Sequence, residues 1–359
     1  MIYMDRALEL AENAIRNVSP NPPVGALVVN DGRVVGEGWT QPPGENHAEI
    51  VALNQAKQKA KGSILYITLE PCCFHGRTPP CVEAIVAAEV KEVHVSILDP
   101  NPRVNGEGLK FLRNSGIDVF VGEQAQIAGK LIEAYKKYII NQMPFVTVKY
   151  AMSLDGKIAS KTKDSKWISS NESRLYVQKM RSSVDAIMVG ANTVRKDNPY
   201  LTVRDEAGDP NTDQPLRIIV QGDGLIDSKS NILTQPGNVV IAMPESKIVY
   251  DLEKLGAQIE VIPQSNGKVD LVSLMHLLAS KYEITNVLVE GGGKLVGALF
   301  DLNLVDKVAV FVSPIIIGGE QALTGVEGKG VDLVKNAFHL NDVEIIKLDR
   351  DFLIIGSVK

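Results

Sequence analysis

Residues 47–81 read HAEIVALNQAKQKAKGSILYITLEPCCFHGRTPPC. The run from His47 to Ala60 has helical spacing. Ile64 to Leu69 is a short β-rich segment, and Pro80 to Ala88 reads as a helix with proline near its first turn. Helix, strand and helix in close succession are the signature of a layered α/β domain. Working outward, Met4 to Asn17 is helical, and Val24 to Asn30 and Arg33 to Trp39 are strands joined at Asp31-Gly32. Downstream, Val93 to Leu98 is strand-like, Gly108 to Asn114 helical and Ile117 to Val121 a strand. An amphipathic helix over Ala125 to Ile140 ends at Asn141-Gln142-Met143-Pro144, which places a domain boundary between residues 1–143 and 144–359. Alternation resumes with Phe145 to Tyr150, Asn171 to Arg181, Ala186 to Val189, Leu216 to Val220, Val239 to Ala242 and Asn286 to Glu290. Strands at Lys307 to Val312, Val343 to Leu348 and Phe352 to Val358 close the chain.

A length of 359 residues fits two domains better than one core. The net charge of −5 argues against a grip on a nucleic-acid backbone, which needs an excess of Lys and Arg. No apolar run is long enough to cross a bilayer. The opening MIYMDRALELAENAIRN carries charges throughout and lacks the apolar centre of a signal peptide, so a cytoplasmic location is expected. All three cysteines, Cys72, Cys73 and Cys81, fall within ten residues. So few, so clustered, make a poor disulfide framework, and metal binding is the better reading.

His47, Cys72 and Cys81 offer one imidazole and two thiolates, a set that holds zinc with a fourth position left for water. The metal makes that water acidic near neutral pH. A carboxylate beside the metal must then carry protons to the leaving ammonia, and Glu49 is the candidate. Residues i and i+2 do not share a face in mid-helix, so His47 and Glu49 converge only in a first turn. Cys81 should likewise sit at a helix start, where the dipole favours its thiolate. Cys73 and His75 are rival ligands, but adjacent cysteines cannot easily place both sulfurs on one metal with Cys81, which favours Cys72. A capping or surface histidine, or a structural zinc, are the plainer alternatives; the latter lacks an evident fourth protein ligand. The H-x-E…P-C…C order is that of zinc deaminases, with eight residues between the two cysteines where two are usual.

Asn21-Pro22-Pro23-Val24-Gly25, His47-Ala48-Glu49, Glu70-Pro71-Cys72, Gly76-Arg77-Thr78-Pro79-Pro80-Cys81 and Asp99-Pro100-Asn101-Pro102 together resemble the bifunctional riboflavin-biosynthesis deaminase/reductase family. The resemblance continues through Lys149, Ser153-Leu154-Asp155-Gly156, Trp167-Ile168-Ser169, Asp197-Asn198-Pro199 and Glu290-Gly291-Gly292-Gly293. It implies a cytidine-deaminase-like three-layer α/β/α domain followed by a dihydrofolate-reductase-like α/β domain. It also implies deamination of 2,5-diamino-6-ribosylamino-4(3H)-pyrimidinone 5′-phosphate, then NADPH-dependent reduction of the ribosyl group to ribityl. By the same resemblance Asn21, Asp99 and Asn101 bind substrate and Arg77 its phosphate, and a homodimer or homotetramer is expected. Two positions depart from the family pattern: Thr40 follows Trp39 where His is common, and Cys73-Phe74 stands where Ser-His is common.

Hydride transfer needs a dinucleotide held against an electrophilic carbon and a proton source, not a protein nucleophile. The strand Asn286 to Glu290 runs into Gly291-Gly292-Gly293, and Leu295 to Phe300 looks helical. Bare backbone at a helix start can approach a pyrophosphate. Neither G-x-G-x-x-G nor a P-loop is present, so the resemblance, not the glycines, assigns them to the cofactor. It likewise places Ala151, Trp167, Thr193 and Asp197 at the cofactor, with Asp197 also handling a proton. Lys149, at a strand end, would polarise the sugar. Ser165, Arg181, Leu201, Arg204 and Glu290 fall to the substrate, with Arg181 and Arg204 as phosphate candidates. A free-nucleoside or tRNA-base deaminase with an accessory second half is the rival reading, and an inert zinc scaffold a third.

Overall fold

Asp31 and Gly32 both take left-handed backbone (φ 49° and 70°), the conformation a two-residue hairpin turn requires. They join β1 (Gly25–Asn30) to β2 (Arg33–Trp39) in a computed structural model that describes residues 3–15, 17–205, 207–222, 226–244 and 256–358. The chain divides into two units, Met1–Met143 and Pro144–Lys359.

The first unit adds β3 (Ile64–Leu69), β4 (Glu92–Ile97) and β5 (Asp118–Val121) in the order β2-β1-β3-β4-β5. β1 runs antiparallel to both neighbours, while β3, β4 and β5 are parallel. Successive strand residues point to opposite faces, and both faces are covered. Ala26, Val28, Leu65, Ile67, Val93 and Val95 pack beneath one helical layer. That layer includes α2 (Ala48–Ala56), α3 (Cys81–Ala87), α4 (Glu107–Asn114) and α6 (Glu133–Asn141). Leu27, Val29 and Tyr66 face α1 (Tyr3–Glu12) and α5 (Ala125–Leu131) on the other side. The result is the three-layer α/β/α domain. Two expectations change in detail. Helix α1 ends at Glu12, five residues early, and Arg16 lies outside the described residues. The single helix expected over Ala125 to Ile140 is two, broken at Ile132 (φ −103°).

Gly36 and Gly38 on β2 set how closely α2 approaches the sheet. A Cβ on Gly38 would stand 2.3 Å from the Ala48 carbonyl oxygen, and one on Gly36 2.1 Å from that of Ala52. Only glycine admits the helix at this distance, and α2 carries the first site residues.

Among its described residues the second unit is built on nine strands: β6 (Phe145–Ser153), β7 (Ala186–Gly190), β8 (Leu216–Val220), β9 (Val239–Pro244), β10 (Gln258–Ile262), β13 (Asn286–Val289), β14 (Lys307–Ser313), β15 (Leu340–Leu348) and β16 (Asp351–Val358). Between β10 and β13 come the short hairpin strands β11 (Gln264–Ser265) and β12 (Lys268–Val269). The order is β10-β9-β8-β7-β13-β6-β14-β16-β15. It is parallel from β10 to β14 and antiparallel at β14-β16-β15. The α-helices among the described residues are α7 (Asn171–Ser182), α8 (Ala191–Asp197), α9 (Asn231–Thr234), α10 (Leu271–Tyr282) and α11 (Gly293–Asp301). Sequence reading assigned no element between residues 243 and 285, where β10 and α10 stand, and none over α8. At the starts of β7 and β13, the Asp185 carboxylate accepts from Thr285 N at 2.7 Å and Asn286 N at 3.2 Å, while Asn286 Oδ1 accepts from Asp185 N. Open parallel sheets bind ligands at the opposite, carboxyl ends of their strands.

Candidate active sites

His47 is the N-cap of α2 in extended backbone (φ −72°, ψ 164°), and Glu49 lies in the first turn. That placement lets the i, i+2 pair converge. Cys81 opens α3 directly after Pro80, its N-cap. Cys72 stands in the loop after β3, where its sulfur accepts from the Cys81 backbone N–H at 3.3 Å. His47 Nδ1 lies 3.6 Å from Cys72 Sγ and 3.3 Å from Cys81 Sγ. The three donor atoms all fall within 4.8 Å of one another. Tetrahedral zinc, with bonds of about 2.0 Å to nitrogen and 2.3 Å to sulfur, sets its nitrogen and sulfur ligands about 3.5 Å apart. The donor set fits zinc in both chemistry and spacing. Thr78 Oγ1 lies 3.4 Å from His47 Nε2, so an Nε2–H tautomer leaves Nδ1 for the metal. Of the two linked sulfurs, Cys72 is favoured as thiolate, because Cys81 and His47 hydrogen-bond to it against the cost of burial.

Glu49 is buried, and that burial pushes its carboxyl up to about 6 against the pull of His47. A carboxyl in that range can both accept and release a proton near neutrality. A cavity of about 210 Å³ opens beside it, lined among others by Asn21, Thr40, Phe74, Asp99 and Asn101. Burial also raises Asp99 to about 6, opposed by the Asn101 backbone N–H and the Tyr135 hydroxyl, which donate to it at 2.8 and 3.1 Å. Arg77 is exposed on the loop between the cysteines and is not among the residues that line the cavity. Thr40 Oγ1 accepts from Val24 N at 3.2 Å and so ties the ends of β1 and β2.

Sequence reasoning missed two supports. Glu70 receives backbone N–H groups from Asp99, Gly106, Gly108 and Leu109 at 2.9–3.3 Å. It thereby caps α4 and holds the Asp99 loop against the cavity. Tyr135, Tyr138 and Ile139 of α6 form the far wall.

The second unit holds a cavity of about 680 Å³. Lys149, Ala151, Ser165, Trp167, Arg181, Thr193, Asp197, Leu201, Arg204, Glu290, Gly291 and Gly292 all reach it. Gly293 does not line it; a Cβ there would meet the Thr324 carbonyl oxygen at 2.5 Å, so its lack of a side chain serves packing. Lys149 lies in mid-strand, not at a strand end, and its Nζ is 3.3 Å from Glu290 Oε2. Arg181 holds the same carboxylate through Nε at 2.6 Å and Nη2 at 3.1 Å. Burial alone would raise Glu290; Arg181 and Lys149 overcome it and hold the carboxyl at about 2. Arg204 donates to the Gly208 carbonyl and Gln235 and stacks on Tyr200. Asp197 ends α8, and burial raises its carboxyl against the charges of Lys166 and Lys196. Gly292 caps α11 with no side chain, its N–H donating to Thr193 Oγ1 at 3.1 Å. Uncapped backbone at the start of a nine-residue helix, facing this cavity, suits an anionic dinucleotide.

A layered domain with a His-Cys-Cys cluster around a buried glutamate, joined to a parallel sheet with a polar cleft, defines a zinc-site deaminase coupled to a reductase. Residues 2–97 match the cytidine and deoxycytidylate deaminase zinc-binding region, and residues 144–354 match the RibD C-terminal domain. The riboflavin biosynthesis protein RibD of Aquifex aeolicus is 38% identical over 354 residues, covering 98% of this chain and 96% of its own. Its Escherichia coli counterpart is 39% identical over 327 residues, covering 89% and 88%. The structure of Acinetobacter baumannii RibD aligns with a TM-score of 0.88 at 34% identity, covering 99% of this chain and 98% of its own. That of a diaminohydroxyphosphoribosylaminopyrimidine deaminase/5-amino-6-(5-phosphoribosylamino)uracil reductase from Thermotoga maritima gives 0.86 at 35% with the same coverage. The chain belongs to the RibD family, the bifunctional deaminase/reductases of riboflavin biosynthesis. No helix among the described residues is long and apolar enough to cross a membrane.

Proposed function

We propose that residues 1–143 deaminate 2,5-diamino-6-ribosylamino-4(3H)-pyrimidinone 5′-phosphate, and that residues 144–359 reduce the ribosyl group of the product to give 5-amino-6-ribitylaminouracil 5′-phosphate. The observation that carries the first step is the convergence of His47, Cys72 and Cys81 beside the buried Glu49. His47 Nδ1 and the two sulfurs would hold zinc, which when bound would make hydroxide available from water near neutral pH. Glu49 takes a proton on its carboxylate and returns it to the amino group that leaves as ammonia. Asn21, Asp99 and Asn101 orient the polar heterocycle and ribose, and Arg77 reaches the phosphate from its loop.

For the second step NADPH, when bound, would supply the hydride. Ala151, Trp167, Thr193, Gly291 and Gly292 bind the cofactor. Ser165, Leu201 and Arg204 bind substrate, and Glu290 does so while fixing Lys149 and Arg181 in place. Lys149 Nζ steadies the sugar oxygen as it gains charge, and Asp197, kept protonatable by burial, handles the proton. The same reading places the enzyme in the cytoplasm as a homodimer or homotetramer.

Metal analysis combined with turnover tests this. The purified protein should carry about one zinc per chain and release ammonia from the ribosylaminopyrimidine phosphate. Glu49→Ala should keep its metal and lose deamination by at least about a hundredfold, while NADPH oxidation with the deaminated intermediate persists. Unchanged ammonia release would refute the assigned proton carrier.

A further inference from the structure

Among the described residues, Arg217 is the largest side chain that the fold buries completely. It stands on β8 two residues before Ile219, so both point to the same face of the sheet, into an apolar layer that includes Leu201 and Ile232. Burying a cation there is costly unless hydrogen bonds replace its water. Among the described residues no carboxylate answers it; burial lowers its guanidinium to about 10, so it stays charged at neutral pH. Backbone carbonyls take the place of water. Nη1 donates to the Ile232 oxygen at 2.9 Å and the Tyr200 oxygen at 3.5 Å. Nη2 lies within 3.0 Å of the carbonyl oxygens of Gln235, Pro236 and Gly237. One buried cation thus gathers two separate segments, the loop after α8 and residues 232–237.

Both segments touch Arg204 in the reductase cleft. The Tyr200 ring centroid lies 4.6 Å from its guanidinium carbon, and Gln235 Oε1 accepts from its Nη2 at 3.0 Å. The segments are also clasped to each other: Asn231 N donates to Asn198 Oδ1 at 2.7 Å, and Asn231 Nδ2 to the Asn198 carbonyl at 2.8 Å. Of the two phosphate candidates in this cleft, Arg181 commits Nε and Nη2 to Glu290 and Nη1 to the Thr202 carbonyl. That leaves Arg204 for the ester. A guanidinium whose partners are fixed beforehand loses less freedom on meeting a phosphate. We infer that Arg217 is a positioning residue of the reductase, which through Tyr200 and Gln235 aims Arg204 at the 5′-phosphate of the deaminated intermediate. This rests on the reductase reading above.

The test follows NADPH oxidation with 5-amino-6-ribosylaminouracil 5′-phosphate and with the same compound lacking its phosphate. It compares wild type, Arg204→Gln, Arg217→Lys and Gln235→Leu by the ratio of kcat/KM for the two substrates. A loss of folded enzyme lowers both values equally and leaves that ratio where it was. Arg204→Gln should cut the ratio roughly tenfold, the size of one lost charge-assisted contact. Arg217→Lys keeps the charge but reaches fewer carbonyls, and should cut it roughly threefold through KM for the ester. Gln235→Leu breaks the link at its outer end, leaves the buried arginine in place, and should do the same. Adding Arg217→Lys to Arg204→Gln should give no further fall, because the first residue acts only through the second. An unchanged ratio in Arg217→Lys or Gln235→Leu, or a further fall in the double variant, overturns the inference. Should Arg217→Lys not fold, Gln235→Leu alone decides. An unchanged ratio in Arg204→Gln removes Arg204 from the phosphate and the inference with it. Wild type that oxidises NADPH with neither compound sinks the reductase reading itself, a failure that this control tells apart from the others.

Discussion

Glu290 sits between Lys149 and Arg181 with its side chain 8% exposed. Its carboxyl is held at about 2, below the usual carboxylate range. A depressed folded-state value means that the stabilisation is fully present above the unfolded-state value, about 4.3, and fades as pH falls through about 2. Glu290→Gln should therefore lower unfolding free energy at pH 7 by about 3 kcal/mol, since two cations lose their counter-ion. Denaturant titrations of both proteins should show that gap closing below pH 4. A gap that persists unchanged to pH 2 would contradict the ion-pair account. At this scale the site was partly legible. His47, Glu49, Cys72 and Cys81 are recognisable because their chemistry and spacing are local. Glu70 and Tyr135 were not, because their partners are 29–39 and 36 residues away along the chain. The same holds for Lys149, whose meeting with Glu290 spans 141 residues.

Among the elements, the contact of α2 with β2 carries the most consequence for the metal cluster. Gly36 and Gly38 let the helix settle so that its N-cap delivers His47. Gly38→Ala should force the helix outward, costing about 1–3 kcal/mol by overpacking, and should loosen zinc. Competition against a chromogenic chelator reads this directly: the variant should surrender metal at lower chelator concentration than wild type, and equal retention would show that the close approach is not needed. The α/β alternation was visible because strands such as β3 carry apolar residues for both faces. The break between α5 and α6 was not, since Ile127, Leu131, Ile132, Tyr135 and Ile139 continue one apolar pattern across it. Helix α10 did leave a signal: Asp270 caps it, and Leu271, Leu274, Met275 and Leu278 recur at helical spacing.

For the whole molecule, each unit holds its own cavity and its own set of polar side chains. Removing zinc with a chelator should abolish ammonia release while NADPH oxidation with the deaminated intermediate continues at nearly the original rate; parallel loss of both activities would argue against separable sites. In the second unit, the residues of the cleft gather where β7 and β13 end, while Asp185, Thr285 and Asn286 lock the same two strands at their starts. One rim keeps the register and the other meets small molecules. Selection for a new ligand can therefore rewrite the second rim without disturbing strand alignment, which lets such a scaffold change its chemistry and keep its shape.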